Sequence, residues 1–330
     1  MKLLKSNFEI IPQKEGVVGI YKQVELAGRT CYKSEDKITP DSAKKFVDMM
    51  VRSGHGAMLE HGTVYLKMSY GLLDQMEDHN VTDYQNNKYS KVNRVYESPI
   101  SAFYYVTTNL RVLVENDWLE EDWKYLCKPT KYHEKRVTVK FTCDRVTGES
   151  FLRHRAIDED HPTIEGEVTR ECERDIDSFA RESTRFCNYS KEKFGKELSI
   201  IVPPEFSDEE IEVARDQWEC SDGIFHEMCA YLGSGDDNVF GIIDTWLFAN
   251  LATEWAYFNL LRLGQKPEQA RRVLPLDIKS PLIMTGFVSD WEHFFGLRCA
   301  KDAHIQAREL AVPLREEFVR RGLITDKTEE

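Results

Sequence analysis

Arg153, His154 and Arg155 stand side by side after an apolar pair in FLRHR, residues 151–155. Two guanidiniums around an imidazole offer forked N–H donors and fixed positive charge, a combination that suits an oxyanion. A solvated basic face has the same composition, so the triplet alone decides nothing. A second segment, ESTRF at 182–186, places Ser183, Thr184 and Arg185 in succession. There a guanidinium can hold a phosphate bidentately while the hydroxyls donate to its remaining oxygens. Two such groups in one chain point to a phosphate or a nucleotide. Arg271 and Arg272 lie between a helix start and a proline in PEQARRVLP, and Arg298 ends a helix in FFGLRCAKDAH. Each also fits the plainer reading, a cation meeting the negative end of a helix dipole.

Other chemistries find less footing. His55 and His61 bracket GAMLE at a spacing of six, which is not a helical metal pair, so structural histidines are the default and no metal site is expected. GxSxG, Walker A and GxGxxG are absent. The eight cysteines are scattered singly, and nothing beside Cys143, Cys187 or Cys299 marks an activating base; they read as free, unreactive thiols.

A formal net charge of −13 argues against non-specific nucleic-acid binding, which needs a basic footprint. It does not exclude a small anion, because partly buried contacts are screened little by distant surface charge. No apolar run approaches a membrane span, and residues 1–20 lack the apolar stretch of a signal peptide, so a cytoplasmic protein is expected.

The elements that must carry these residues follow from periodicity. Residues 39–55 read as a helix, capped by Thr39 or Asp41, striped by Phe46, Met49 and Met50, and stopped by Gly54. Strands are expected at 63–70, where Val64, Leu66 and Met68 alternate, at 100–108, at 135–143 and at 197–204. Asn109 caps a following helix, and SDEE from Ser207 is a capping box. A long helix at 238–263 is apolar on most sides and is expected in the core, with shorter helices at 267–272, 289–298 and 302–320. Val168, Cys172, Ile176, Phe179, Ser183 and Phe186, at steps of three and four, suggest one more helix running into ESTRF. Early strands and late helices predict an α+β fold, a largely antiparallel mixed sheet flanked by helices with a helix-rich C-terminal half.

In order along the chain, FLRHR, SFARESTRFCNYS, EWAYFNLLRLGQKPEQARRVLP and MTGFVSDWEHFFGLRCAKDAHIQARELA together resemble the flavin-dependent thymidylate synthases. AGRTCYKS (27–34), SGHGAMLEH (53–61) and NKYSKV…YYVTTNLRVLVEN (87–116) are similar to that family's N-terminal half, so the likeness runs from about residue 25 to 315. The resemblance implies transfer of a methylene group from methylenetetrahydrofolate to C5 of dUMP. It also implies reduction to dTMP by a hydride from FAD that NADPH has reduced, with no cysteine nucleophile. A homotetramer with FAD sites between subunits is implied too. Residue by residue, it puts Arg153, His154 and Arg155 on FAD, with Arg153 also reaching the nucleotide. Ser150, Ser183, Thr184, Arg185 and Arg271 fall on dUMP, His55 and His293 near the flavin, and Arg298 where a guanidinium polarises the uracil. Glu182, one place beyond strict spacing, takes the role of a glutamate touching both flavin and nucleotide. Phe287 and Ser289 stand where some members carry Asn and Arg.

The chain 1–330 is thus expected to be a single domain of this kind, interrupted by an acidic insertion at 156–177 inside the signature. That insertion holds nine acidic residues and two arginines, net −7 of the whole chain's −13. Acidic composition favours solvation over packing, and a solvated excursion is the plainer reading beside a lid over the flavin. Two rivals stay open: a catalytically inactive nucleotide- and flavin-binding regulatory homologue, and an RNA-binding module, which the acidic balance disfavours.

Overall fold

A computed structural model describes residues 1–70, 81–98, 101–152, 156–158, 172–174, 178–220, 230 and 241–325. The chain divides into two compact units, each assembled from three stretches. The smaller comprises Met1–Asn7, Thr142–Gly148 and Ser183–Ser280, and the larger Phe8–Phe141, Glu149–Glu182 and Pro281–Glu330.

The larger unit holds two sheets. One has the order Thr63–Tyr70, Ser101–Asn109, Lys91–Ser98, with antiparallel neighbours. Its alternation is as predicted: Val64, Leu66 and Met68 are buried with Phe46, Met50, Val106 and Leu110, while Lys67 and Ser69 face out. Asn109 caps the helix Leu110–Glu115, its Oδ1 accepting from Val112 N–H at 3.2 Å. The second sheet has the order Asn7–Ile11, Arg136–Thr142, Leu282–Phe287, Ser178–Arg181. Its Leu282–Phe287 strand is buried throughout and runs antiparallel to the strands on both sides. Phe141 packs with Phe151, Trp291 and Phe294 on one face, at 5.0, 6.3 and 6.4 Å between ring centroids. On the opposite face Ala180 and Ile283 meet Ala27 and Met58.

That opposite face is polar further along. Arg136, buried on its strand, donates from Nη1 to the Glu60 carbonyl at 2.9 Å and from Nη2 to Ser178 Oγ at 3.2 Å. Thr138 and Thr285 share a hydroxyl hydrogen bond of 2.9 Å, and Thr285 shares another of 2.9 Å with Nδ1 of the fully buried His61. Burial, and then the Arg136 charge, push the His61 imidazole from 6.5 down to about 3. Folded His61 is therefore neutral, while in the unfolded chain it takes a proton near its ordinary value. Its contribution to stability is complete above pH 6.5 and is lost as pH falls toward about 3. Denaturation midpoints measured across that window should fall with pH, and His61→Asn should make the slope shallower. Equal slopes for both proteins would refute the assignment.

The smaller unit pairs Lys2–Leu4 with Ser199–Ile201 in parallel and adds the helices Asp208–Cys220 and Ile242–Arg262. Ser207 and Glu210 cap the first reciprocally, as predicted: Glu210 N–H donates to Ser207 Oγ at 3.2 Å and Ser207 N–H to Glu210 Oε2 at 3.0 Å. Its core gathers Cys187, Tyr189, Leu198, Ile200, Tyr257, Ala270 and Ile278. The chain as a whole is α+β with mostly antiparallel pairing and a helix-rich C-terminal half.

Three expectations fail. The helix Ile242–Arg262 is not a core helix: Leu247, Asn250 and Tyr257 are buried, but Trp255 is 64% and Ile242 79% exposed. Only one of its sides meets the hydrophobic cluster. Residues 178–186 do not continue a helix. Ser178–Arg181 is a strand, with Ser178 and Ala180 turned inward, because period-two pairing with the 282–285 backbone outweighs the three-and-four spacing. The rest of that proposed helix, apart from 172–174, lies outside the described residues. The helix Ser42–Arg52 has no side-chain cap from Asp41; Ser42 Oγ instead accepts from Thr39 N–H at 2.8 Å, and Met49 is exposed.

Candidate active site

In the larger unit, Arg298 is the last residue of the helix Val288–Arg298. Asp290 Oδ2 accepts from Phe287 N–H at 2.8 Å and starts that helix. Trp291, Phe294 and Phe295 are its buried face, and Trp291 Nε1 donates to the Val137 carbonyl at 3.2 Å. With the helix fixed this way, Arg298 Nη2 donates to the Ser150 carbonyl at 2.5 Å. Ser150 belongs to the helix Arg145–Leu152, and Arg153, His154 and Arg155 follow it in the sequence. That triplet lies outside the described residues. The structure thus joins Arg298 and Ser150, which are 148 residues apart. His293, five positions before Arg298, is exposed. At 3.6 residues per turn the two side chains leave the helix roughly 140° apart.

His55 is exposed at the start of the short helix Gly56–Leu59. Gly54 places it there. Its φ of +68° is a left-handed turn that closes the preceding helix, with His55 N–H donating to the Met50 carbonyl at 3.0 Å. Glu182 follows the Ser178–Arg181 strand, 3% exposed, and its N–H donates to the Pro281 carbonyl at 3.0 Å. Burial, and then the Glu182 charge, push the Cys31 thiol up. That places the carboxylate near the end of the helix Gly16–Tyr32.

In the smaller unit, the Ser183 carbonyl accepts from Phe186 N–H at 3.1 Å and Cys187 N–H at 3.0 Å, closing a turn that buries Thr184 and exposes Arg185. Arg185 lies over the Phe186 ring at 5.3 Å and its Nε meets Glu268 Oε2 at 3.4 Å. Glu268 sits in the helix Pro267–Ala270, and Arg271 and Arg272 follow at once, both exposed. Fully buried Ala270 anchors this turn. Arg185 thus meets, through Glu268, the segment that carries Arg271 three positions further on. The exposed Arg185–Glu268 pair is weak, so an anion can take Glu268's place.

Periodicity did not flag two residues, Glu268 and Arg136. The signal for Arg136 was present: it shares a strand face with Thr138, where an apolar residue belongs. Phe287 is 1% exposed and belongs to the core, and Ser289 Oγ accepts from Lys91 Nζ at 2.5 Å. Among the described residues no group of three His, Cys, Asp or Glu side chains stands ready for a metal ion.

A sequence model of the family "Thymidylate synthase complementing protein" matches residues 19–133 and 133–321. The chain belongs to that family. The match spans every candidate residue from His55 to Arg298 and includes the 156–177 insertion. Curated relatives match shorter stretches. A flavin-dependent thymidylate synthase of Pyrococcus abyssi is 32% identical over 80 residues, 24% of this chain and 33% of that protein. One from Synechocystis is 36% identical over 64 residues, covering 19% and 30%. One from Corynebacterium glutamicum is 40% identical over 53 residues, covering 16% and 21%. The matched stretches thus span a third or less of these relatives. Among solved structures, a UMP/dUMP methylase, PolB, from Streptomyces cacaoi bound with 5-Br dUMP is similar at a TM-score of 0.38 and 15% identity, over 97% of this chain and 93% of that one. A likeness that remote carries no ligand across to this family member.

Proposed function

We propose that this member of the thymidylate synthase complementing protein family is a flavin-dependent thymidylate synthase. It converts dUMP to dTMP with methylenetetrahydrofolate as carbon donor and NADPH as reductant, in the cytoplasm. The observation that carries the reading is Arg298 anchored on the carbonyl of Ser150, which stands three positions before Arg153 in the chain. A guanidinium held there stays charged and can stabilise negative charge developing on a uracil carbonyl and N3. Arg185 and Arg271, with the Ser183 and Thr184 hydroxyls, suit the nucleotide's phosphate.

FAD, when bound, supplies the hydride. His55 and His293, both exposed, would hold it with Glu182, Arg153, His154 and Arg155. The five cysteines whose side chains are described favour flavin chemistry over a thiolate nucleophile. Burial pushes the Cys31, Cys127 and Cys299 thiols up, and Cys143 and Cys187 are buried. A homotetramer would cover the uncovered side of the Ile242–Arg262 helix, where Trp255 is exposed. No described helix is long and apolar enough to cross a membrane.

NADPH should bleach the visible absorption of the bound flavin under anaerobic conditions. Flavin that never bleaches would favour the regulatory reading. The insertion's two ends pair as antiparallel strands, Ala156↔Arg174 through Asp158↔Cys172. The chain thus leaves the signature after Arg155 and returns shortly before Ser178, as a solvated excursion would. Deleting 156–177 should leave turnover and Michaelis constants unchanged. A clear rise or fall in either would establish a lid.

A further inference from the structure

His55 opens a segment of the larger unit that is tied down at both ends. Its N–H donates to the Met50 carbonyl at 3.0 Å, and its carbonyl accepts from Met58 N–H at 3.2 Å. At the far end the Glu60 carbonyl accepts from Arg136 Nη1 at 2.9 Å, and the Gly62 carbonyl accepts from Leu110 N–H at 2.8 Å. Between these ties reaches Arg111, from the helix Leu110–Glu115, a residue that the function proposed above does not use. Arg111 Nη1 donates to Glu60 Oε1 at 2.5 Å, and Arg111 Nε donates to Glu115 Oε1 at 2.7 Å. The centre of the Tyr89 ring lies 5.7 Å from the guanidinium carbon.

The two contacts of Arg111 do different things. Glu60 is 8% exposed, and a buried carboxylate without a cation is strongly destabilising. Arg111 supplies that cation from 51 residues along the chain. The contact with Glu115 concerns the backbone. A Cβ at residue 56 would lie 2.9 Å from Arg111 Nε and 2.9 Å from Glu115 Oε1. The arginine–glutamate pair therefore rests on the bare Gly56 backbone, one residue after His55. A planar fork can meet Glu60 with one nitrogen and Glu115 with another while it lies there. A lysine ammonium, a point charge on a flexible stem, cannot hold both in that plane.

We infer that Arg111 is a positioning residue for His55: it holds the Gly56–Glu60 turn against the helix Leu110–Glu115 and so fixes where His55 leaves the backbone. The ligand that His55 then meets is FAD, which rests on the function proposed above. Arg111 acts on that ligand only through the turn. A segment fixed in advance loses less conformational entropy when its ligand binds, so loosening the turn costs affinity rather than the fold.

Titration of FAD fluorescence, and hydrogen exchange of the full chain without FAD, test this in the wild type, His55→Ala, Arg111→Lys and the variant with both substitutions. Arg111→Lys keeps a cation for Glu60, so its thermal melt should match the wild type. The Gly56–Gly62 amides should nevertheless exchange about tenfold faster, the effect of one charge-assisted hydrogen bond lost. His55→Ala and Arg111→Lys should each weaken FAD about tenfold, and the double variant should bind as His55→Ala does alone. Glu115→Ala removes a half-exposed side chain and leaves Glu60 paired, and it should shift exchange and affinity in the same direction. Unchanged exchange, full FAD affinity in Arg111→Lys, or losses that add in the double variant would each overturn the proposal. Unaltered affinity in His55→Ala would overturn it by removing His55 from the flavin. A wild type that takes up no FAD would overturn the proposed function itself, and with it the ligand given to His55.

Discussion

Replacing Arg298 by alanine is expected to lower kcat for dTMP formation by about 10²–10³-fold, the usual cost of removing one donor aimed at developing charge. Flavin content should not change. The guanidinium is half-buried, and its bond to the Ser150 carbonyl fixes where its plane lies. Its interaction with the ring strengthens as negative charge grows there, so kcat and kcat/KM should fall together. Arg298→Lys should recover only a small part. An ammonium keeps the charge but lacks the planar fork needed to hold Ser150 and meet the substrate at once. Flavin loss in the alanine variant, with normal turnover after reconstitution, would move Arg298 from the nucleotide to the cofactor.

The second large effect is expected at the phosphate. Arg185→Ala and Arg271→Ala should each raise KM for dUMP by about 10- to 100-fold, because a charge-assisted hydrogen bond contributes about 1.5–3 kcal/mol. kcat should change little, since the phosphate is bound alike in the ground and transition states. Glu268 sharpens the test. It competes for Arg185 at 3.4 Å, so Glu268→Gln should lower KM modestly or leave it unchanged. A fall in kcat at constant KM in either arginine variant would place that arginine in the chemistry instead.

Much of the fold was legible because its signals are local and repeated. Val64, Leu66 and Met68 mark a strand within six residues, and Asn109, Ser207 and Glu210 announce helix starts through caps that need no distant partner. The failures share a different cause. The apolar residues of Ile242–Arg262 report that the helix needs covering but not what covers it, and in one chain only one side is covered. The spacing through Phe179 and Ser183 looked helical because pairing with the 282–285 backbone is invisible from the segment itself. Arg136 gathers Glu60 and Ser178 across separations of 76 and 42 residues, which no local pattern encodes. In the candidate site, residue types were readable and partners were not. Arg298 was singled out from the sequence, but Ser150 as its anchor and Glu268 as the partner of Arg185 came only from the fold. Arg153, His154 and Arg155 rest on the sequence, since they lie outside the described residues.

The most direct measurement combines a visible spectrum of the purified chain with an assay for dTMP from dUMP, methylenetetrahydrofolate and NADPH. The expected result is a yellow protein, or one that turns yellow with added FAD, and dTMP formed in step with NADPH oxidation. A colourless protein that cannot be reconstituted with FAD, or a flavoprotein that oxidises NADPH without making dTMP, would contradict it.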